Sequence, residues 1–535
     1  MVNGDKILTK GASTLNRDKM INQLDGSLWD VIVIGGGATG LGIAVDAQTR
    51  GYRTLLLEQY DFAKGTSSRS TKLVHGGVRY LKQGNIALVT EALRERGLMR
   101  RNAPHLVQDL AFVVPRYKWW EGPFYGIGLR LYDRLAGKLN IARSQRLTRR
   151  ETIRRIPNIE PDRLLGGTVY HDAQFDDARM AVTLARTAEE HGAVVLNYMP
   201  VTGLIKTHEL VEGVEAVDSE SNRSYHLRSR VVINAAGIFS DAIRAMDDSA
   251  SEKLLTTSQG VHLVLDRSFL SSDTAIMVPQ TDDGRVLFVI PWYDRVLVGT
   301  TDTEMSTPSI EPRALNEEIN FILRNAARYL SHAPERADIL SIFAGQRPLV
   351  RSSGGTVQSK AISRDHHVVI DDSGLVTIIG GKWTTYRKMA QDTVNEAAHI
   401  GELEAQPCVT EGLALHGWAH DHDPVMSEKT EFRVYGSEAA ALQNIIDTEP
   451  ECSRLLHPRL PYLYGHVIWA IRYEMARTIE DVLARRTRSL LLDARASIES
   501  TSGVAGMMAR ELGKDSAWET DQTDQFIALA EGYLP

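Results

Sequence analysis

The chain has 535 residues, 43% of them apolar and 24% charged, and a formal net charge of -7. That length exceeds what one hydrophobic core serves and predicts two or three domains, while the charge excludes a chain-wide attraction to nucleic acid or anionic lipid, so that any such contact needs a local basic patch. Cys408 and Cys452 stand far apart and in no CxxC spacing, which excludes a zinc cluster, a disulfide framework and a redox dithiol and points to a reducing cytoplasm. The opening "MVNGDKILTKGAST" lacks the apolar core of a signal peptide, and no window approaches the roughly 18 consecutive apolar residues of a membrane span.

Residues 1–27 read as an N-terminal arm. From Trp29 follows "WDVIVIGGGATGLGIAVDAQTRGYRTLLLEQ". Val31 to Ile34 are an apolar, β-branched run of the kind found in buried parallel strands. Gly35, Gly37 and Gly40 then fit GxGxxG, and Leu41 to Arg50 predict a helix. Gly35 permits the tight turn, Gly37 lets the backbone approach a pyrophosphate, and Gly40 allows close packing of helix on strand. The helix N-terminus offers free N–H groups to phosphate. A second strand, Thr54 to Leu57, ends at Glu58, which is placed to bond a ribose hydroxyl. The fingerprint marks a dinucleotide site without choosing between NAD and FAD.

Next comes "TSSRSTKLVHGGVRYLKQG". The hydroxyls of Ser67, Ser68 and Thr71 suit a cofactor's phosphate or ring, with an exposed polar loop as the alternative. Behind them stand His75, Gly76, Gly77, Arg79 and Tyr80; without side chains, Gly76 and Gly77 would let ring and substrate approach the backbone. Asp176 and Asp177 precede the helical "ARMAVTLARTAEEHG" and are read as N-capping residues rather than an acid–base pair. "RVVINAAGIFSD" brings a strand to the small residues Ala235 and Gly237, as suits a close cofactor. "VLFVIPWYDRVLVGTTDT" reads as two strands about a turn. "GLVTIIGGKWTTYRKMAQ" gives a strand, Gly380, Gly381, Lys382 and a helix from near Thr384, whose positive end would stabilise a reduced flavin. Together these segments favour FAD. His366 and His367 are adjacent, hence point apart on a strand, and no metal is expected. After "EAQPCVTEGL", Ile468, Ile471, Met475, Ile479 and Val482 recur at helical spacing and are assigned to a core.

"IGGGATG", "TSSRSTKLVHGGVRYL", "YHDAQFDDAR", "VIPWYDRVLVGTTDT", "GQRPLV", "GGKWTTYRKMA" and "YEMARTIEDVLARRTR", in this order, resemble the FAD-dependent, quinone-reducing glycerol-3-phosphate dehydrogenases of the D-amino-acid-oxidase-like superfamily. The resemblance implies an α/β fold: a glutathione-reductase-type, Rossmann-like FAD domain, an antiparallel β substrate-binding domain and a C-terminal α-helical domain. The FAD-dependent region is placed at 28–400, with the FAD domain drawn from about 28–110, 175–255 and 340–400, and the helical domain at 405–535.

The implied reaction is oxidation of sn-glycerol 3-phosphate to dihydroxyacetone phosphate, with electrons passed to quinone. The implied phosphate-binding set is Arg79, Tyr80, Arg347 and Lys382, where arginine grips phosphate with two parallel bonds and lysine adds a point charge. Arg347 is counted with the catalytic groups, together with His75 and His262, the two candidate bases. His75 is favoured; the alternative has His75 bonding only the flavin edge while water takes the proton. With a quinone acceptor implied, the basic and aromatic "PRYKWWEGPFYGIGLRLYDRLAGKL" near 115–139 becomes a foothold on the cytoplasmic face of an inner membrane rather than a helix packed on its own core. A homodimer is possible, and no nucleic acid is expected. The competing readings are an oxidase that returns electrons to oxygen, a hydroxy- or amino-acid oxidase of the same fold, and a partner-binding protein without flavin.

Overall fold

The structure, a computed structural model, describes residues 14–78, 85–351, 366–419 and 430–535. Arg79 and Tyr80 lie outside the described residues. The strand Leu28–Ile34 runs through the middle of the first sheet. It pairs in parallel with Thr54–Leu57 on one side and Ser224–Asn234 on the other, and the sheet continues to Val194–Leu196 and to Val376–Gly380, with His366–Ile370 antiparallel at the edge. Val31 to Val33 are completely buried because the sheet is covered by helices that include Ala38–Thr49, Asp177–Glu190 and Tyr386–Ile400. An apolar run without alternation is what such two-sided burial requires.

The second sheet is mostly antiparallel. Its order is Thr303–Met305, Leu255–Asp266, Arg295–Gly299, Leu287–Trp292, Ala275–Val278, Val107–Arg116, Gly166–Phe175 and Leu73–Val74, with Ile339–Val350 alongside Leu255–Asp266. One pairing, Ala275–Val278 with Val107–Arg116, is parallel. Leu287–Trp292 and Arg295–Gly299 form the expected pair about Tyr293 and Asp294. Residues 58–73 leave the last residue of a first-sheet strand and enter the edge of the second sheet. The chain therefore passes between the two sheets along the stretch that carries the serines, and His75 follows directly.

The remaining chain is helical. Ile468, Met475, Ile479 and Val482 are buried and Ile471 is partly buried, so the apolar stripe is core. It is not one helix: Tyr464–Glu474 stops where Met475 takes φ +55°, and a π-helical turn, Asp481–Arg486, follows. This break lets the buried arginines of "EDVLARRTR" leave the helical region. Arg485 and Arg486 both pair with Asp61, and Arg488 donates to the Asp177 carboxylate at 3.0 Å and the Ser68 carbonyl at 2.8 Å. Lys72, wholly buried, donates to the same two residues. Arg179 forks onto Glu474 with two bonds of 2.7 Å.

Asp176 caps its helix through the Arg179 N–H. Asp177 is not the second cap that the sequence suggested. Its carboxylate accepts the Ala178 N–H but is otherwise committed to Lys72, Arg488 and Ser70, because a buried charge must find its countercharge.

Burial alone would raise the Asp61 carboxyl, but the guanidiniums of Arg486 and Arg485 outweigh it and lower it from 3.8 to about 2. A depressed carboxyl contributes stability that is present above its unfolded value and lost as pH falls through the folded one. Asp61→Asn is therefore expected to destabilise the fold by about 3–5 kcal/mol at neutral pH, since it strands a buried arginine charge. Denaturant unfolding against pH checks this: the gap between wild type and variant should narrow as pH falls from about 4 towards 2.

Candidate functional site

The tight turn after Leu28–Ile34 is built as the glycine spacing requires. Gly35 sits at φ +109°, and a Cβ there would lie 2.7 Å from the Ala235 carbonyl oxygen. A Cβ on Gly40 would collide with the Gly35 carbonyl. Gly37 precedes the first residue of the helix Ala38–Thr49 and faces Ser67. Gly35, Gly37 and Ser67, with Glu58, Lys64, Ala235 and Gly237, line a cavity of about 500 Å³. Both oxygens of Glu58 accept backbone N–H groups, from Gly36 at 2.6 Å and Tyr60 at 2.8 Å. Burial raises its carboxyl above the ordinary value, against the pull of those two bonds.

From Gly37, Ser67, Ala235 and Gly237 the space continues into a second cavity of about 260 Å³, bordered by Thr71, His75, His262, Arg347 and the segment Gly380–Thr384. Gly380 and Gly381 both take positive φ, and at Gly381 a side chain would strike Met389. The turn delivers Lys382 and Trp383 to the cavity wall at the start of the helix Tyr386–Ile400. Trp383 Nε1 donates to the Ser67 carbonyl at 2.8 Å, and the Thr384 hydroxyl lies 3.4 Å from His75 N. A cleft with a helix N-terminus at the glycine turn and a second helix start at its far end fits an extended dinucleotide with a fused ring.

The hydroxyl candidates divide. Ser67 borders both cavities, and its Oγ accepts from Ala38 N at 2.9 Å. Thr71 borders the ring end and pairs with His262 Nε2 at 2.9 Å. Ser68 is buried and serves through its carbonyl, which holds Lys72 and Arg488. Gly77 lines the cavity beyond His75. Gly76 does not clear space for a ring: a Cβ there would press into Leu93 and the Tyr132 hydroxyl, so the missing side chain serves packing within the protein.

A third cavity of about 160 Å³ shares Thr71, His75 and Arg347 with the second. Its polar side holds Arg285, Thr300, Thr301 and Asp302; its other side is a wall of Phe112, Tyr170, Met277 and Phe288. Arg347 donates to the Thr300 hydroxyl and the Thr301 carbonyl at 3.2 Å each and lies 3.6 Å from Asp302. Arg285, also 3.6 Å from Asp302, adds a second cation. His262 is 2% exposed and stacked on Phe343 at 4.9 Å. Burial first, then the charges of Lys72 and Arg347, drive its pKa well below the ordinary value, so it stands neutral. His75 is half-buried and borders both cavities. His366 bonds Asp392 at 2.9 Å while His367 is exposed, as two neighbours on a strand should be.

Sequence reasoning did not reach Arg285, Asp302, Asp172 or Trp383. Asp302, Trp383 and Asp172 lie inside quoted motifs, those containing "GTTDT", "GGKWTT" and "YHDAQ", and Arg285 immediately precedes a predicted strand.

Known proteins resemble this chain in sequence and fold. A family model described as "FAD dependent oxidoreductase" matches residues 30–387, and one described as "C-terminal domain of alpha-glycerophosphate oxidase" matches residues 376–519. The mitochondrial glycerol-3-phosphate dehydrogenase of Schizosaccharomyces pombe is 37% identical over 96% of this chain and 88% of its own, and that of Bos taurus 38% identical over 95% and 73%. Among solved structures, the glycerol-3-phosphate dehydrogenase from Bacillus halodurans complexed with FAD superposes with a TM-score of 0.80 at 30% identity, covering 98% of each chain. The FAD-bound L-alpha-glycerophosphate oxidase from Mycoplasma pneumoniae, at 17% identity and TM-score 0.55 over 72% of this chain and 98% of its own, shares the fold. The chain belongs to the FAD-dependent oxidoreductases and, within them, to the glycerol-3-phosphate dehydrogenases.

Proposed function

We propose that the chain oxidises sn-glycerol 3-phosphate to dihydroxyacetone phosphate in the cavity beside His75 and delivers the electrons to a membrane quinone. The observation that carries this reading is the overlap of the two cavities at Thr71, His75 and Arg347: substrate in one meets the ring end of the other there. Bound FAD would supply the hydride acceptor for C2 of the substrate. The phosphate, at about -1.5 to -2 charges near neutral pH, calls for several cations. Arg347 borders both cavities and Lys382 the ring cavity; with Arg79 and Tyr80, outside the described residues, they make up the set that the resemblance implies. Arg347 is oriented by Thr300 and Thr301. His75 takes the proton from the C2 hydroxyl as the hydride leaves. His262 orients Thr71 and, buried and neutral, ranks second as base. Gly35, Gly37, Gly40 and Glu58 hold the adenosine diphosphate end, and Ala235, Gly237, Gly380, Gly381 and Thr384 border the flavin.

The helix Glu121–Ala136 supports a membrane contact. Tyr125, Leu129, Tyr132 and Ala136 face inward and are buried, while Trp119, Ile127 and Leu131 are 79%, 70% and 42% exposed beside the exposed Arg130, Arg134 and Lys138. Aromatic and basic residues around such a stripe suit the headgroup layer of an anionic bilayer, which this reading assigns to the cytoplasmic face of an inner membrane. Among the described residues no helix is long and apolar enough to cross a membrane.

His75→Asn should slow flavin reduction by glycerol 3-phosphate on the order of 10²-fold or more with FAD still bound; stopped-flow absorbance measures it, and an unchanged rate removes His75 as the base. Charge reversal at Arg130 and Arg134 should abolish sedimentation with anionic vesicles, and retained binding would place the foothold elsewhere. Quinone reduction should outrun peroxide formation in air, whereas dominant peroxide would assign oxygen as acceptor.

A further inference from the structure

On the inner face of the helix Glu121–Ala136, a tyrosine hydroxyl bonds the active-site loop. Tyr132, 1% exposed, accepts a hydrogen bond from Gly76 N at 2.7 Å, and its hydroxyl lies 2.8 and 2.9 Å from the two oxygens of Asp172. A phenol has one proton to give, so it accepts from Gly76 and donates to the carboxylate. Burial holds the phenol well above its ordinary pKa, which keeps that proton in place. Asp172 belongs to the strand Gly166–Phe175 and is fixed from behind by Arg96, a completely buried guanidinium 2.5 Å away on the helix Ile86–Asn102. Leu93, one turn earlier on that helix, fills the space a Gly76 side chain would need. The strand therefore sets the carboxylate, the carboxylate sets the phenol, and the phenol sets a backbone N–H one residue beyond His75. The bonds that Thr384 makes to the His75 backbone are long, 3.4 and 3.5 Å.

We propose that Tyr132 is a positioning residue for the oxidation: held by the Asp172–Arg96 pair, it fixes the backbone at Gly76 and so the place of His75 between the two cavities. This rests on the seam at His75 being where substrate and flavin meet. Tyr132 touches neither substrate nor cofactor on this account. An ångström of misplacement at a reacting group is enough to slow a reaction on the order of 10²-fold, and a bond to the residue next to His75 is well placed to prevent it.

Tyr132→Phe removes the hydroxyl and nothing else. Anaerobic stopped-flow reduction of the FAD-loaded enzyme should slow about tenfold or more, with FAD content and the KM for glycerol 3-phosphate retained. Tyr52→Phe is the matched control. It removes the hydroxyl of another buried tyrosine, which donates to the Glu404 carbonyl at 2.7 Å, away from the cavities, and should cost thermal stability without changing the reduction rate. Wild-type reduction by Tyr132→Phe, with only its melting temperature lowered, would overturn the proposal. Measuring His75→Asn in parallel separates the two claims: slow Tyr132→Phe beside fast His75→Asn would refute the role of His75 as base while supporting the positioning of the loop.

Discussion

The neutralisation of buried carboxylates between the helical region and residues 61–72 is the constraint on which the site depends. Asp61, Asp177 and Glu474 are buried within a chain that must also bury apolar sheets. Each would be costly alone, and each is met by arginine or lysine: Arg485 and Arg486, Arg488 and Lys72, Arg179. Such pairs contribute modest net stability, but removing one partner is expensive, so the geometry they impose is firmly specified. What they specify is the path of the chain from the glycine turn to the second sheet. Ser68 is held through its carbonyl and Ser70 through Asp177, which leaves Ser67 and Thr71 facing the cavity. A ligand-binding loop that would otherwise be mobile is thereby tied to the fold.

A second tie reaches the same loop from the opposite direction. Arg69, on the cavity wall, forks onto Glu311, and Glu311 accepts from the buried Tyr533 hydroxyl at 2.7 Å. Lys64, on the wall of the adenosine end, pairs with Glu480 of the helical region. Among the described residues the helical region thus contributes no wall of its own to the ring end but fixes the residues that do. Its buried electrostatics and the flavin site are one structure.

What could be read from the sequence was the part written in local spacing. The strand, glycine turn and helix from Trp29 to Arg50 involve residues a few positions apart, and their periodicity and sterics are enough to place them. The same holds for the capping role of Asp176 and for Gly380 to Thr384. Long-range partnerships left no such trace. Arg488 and Ser68 are 420 positions apart, and Tyr132 and Gly76 are 56 apart; neither arginine spacing nor a tyrosine in an amphipathic helix announces its partner. For the same reason Asp177 read as a cap and Gly76 as a space for the ring. A local motif states what a residue can do, and the packing around it chooses among those options. The stripe from Ile468 to Val482 was legible as core, whereas its break at Met475, which frees the arginines, was not.

The account's central claim is that substrate and flavin meet at the seam bordered by Thr71, His75 and Arg347. The most direct measurement is a crystal structure of the FAD-loaded enzyme with dihydroxyacetone phosphate. The account predicts the phosphate on Arg347, with the C2 oxygen within hydrogen-bond distance of His75. Density for the ligand in another cavity, or with C2 facing away from His75, would contradict it.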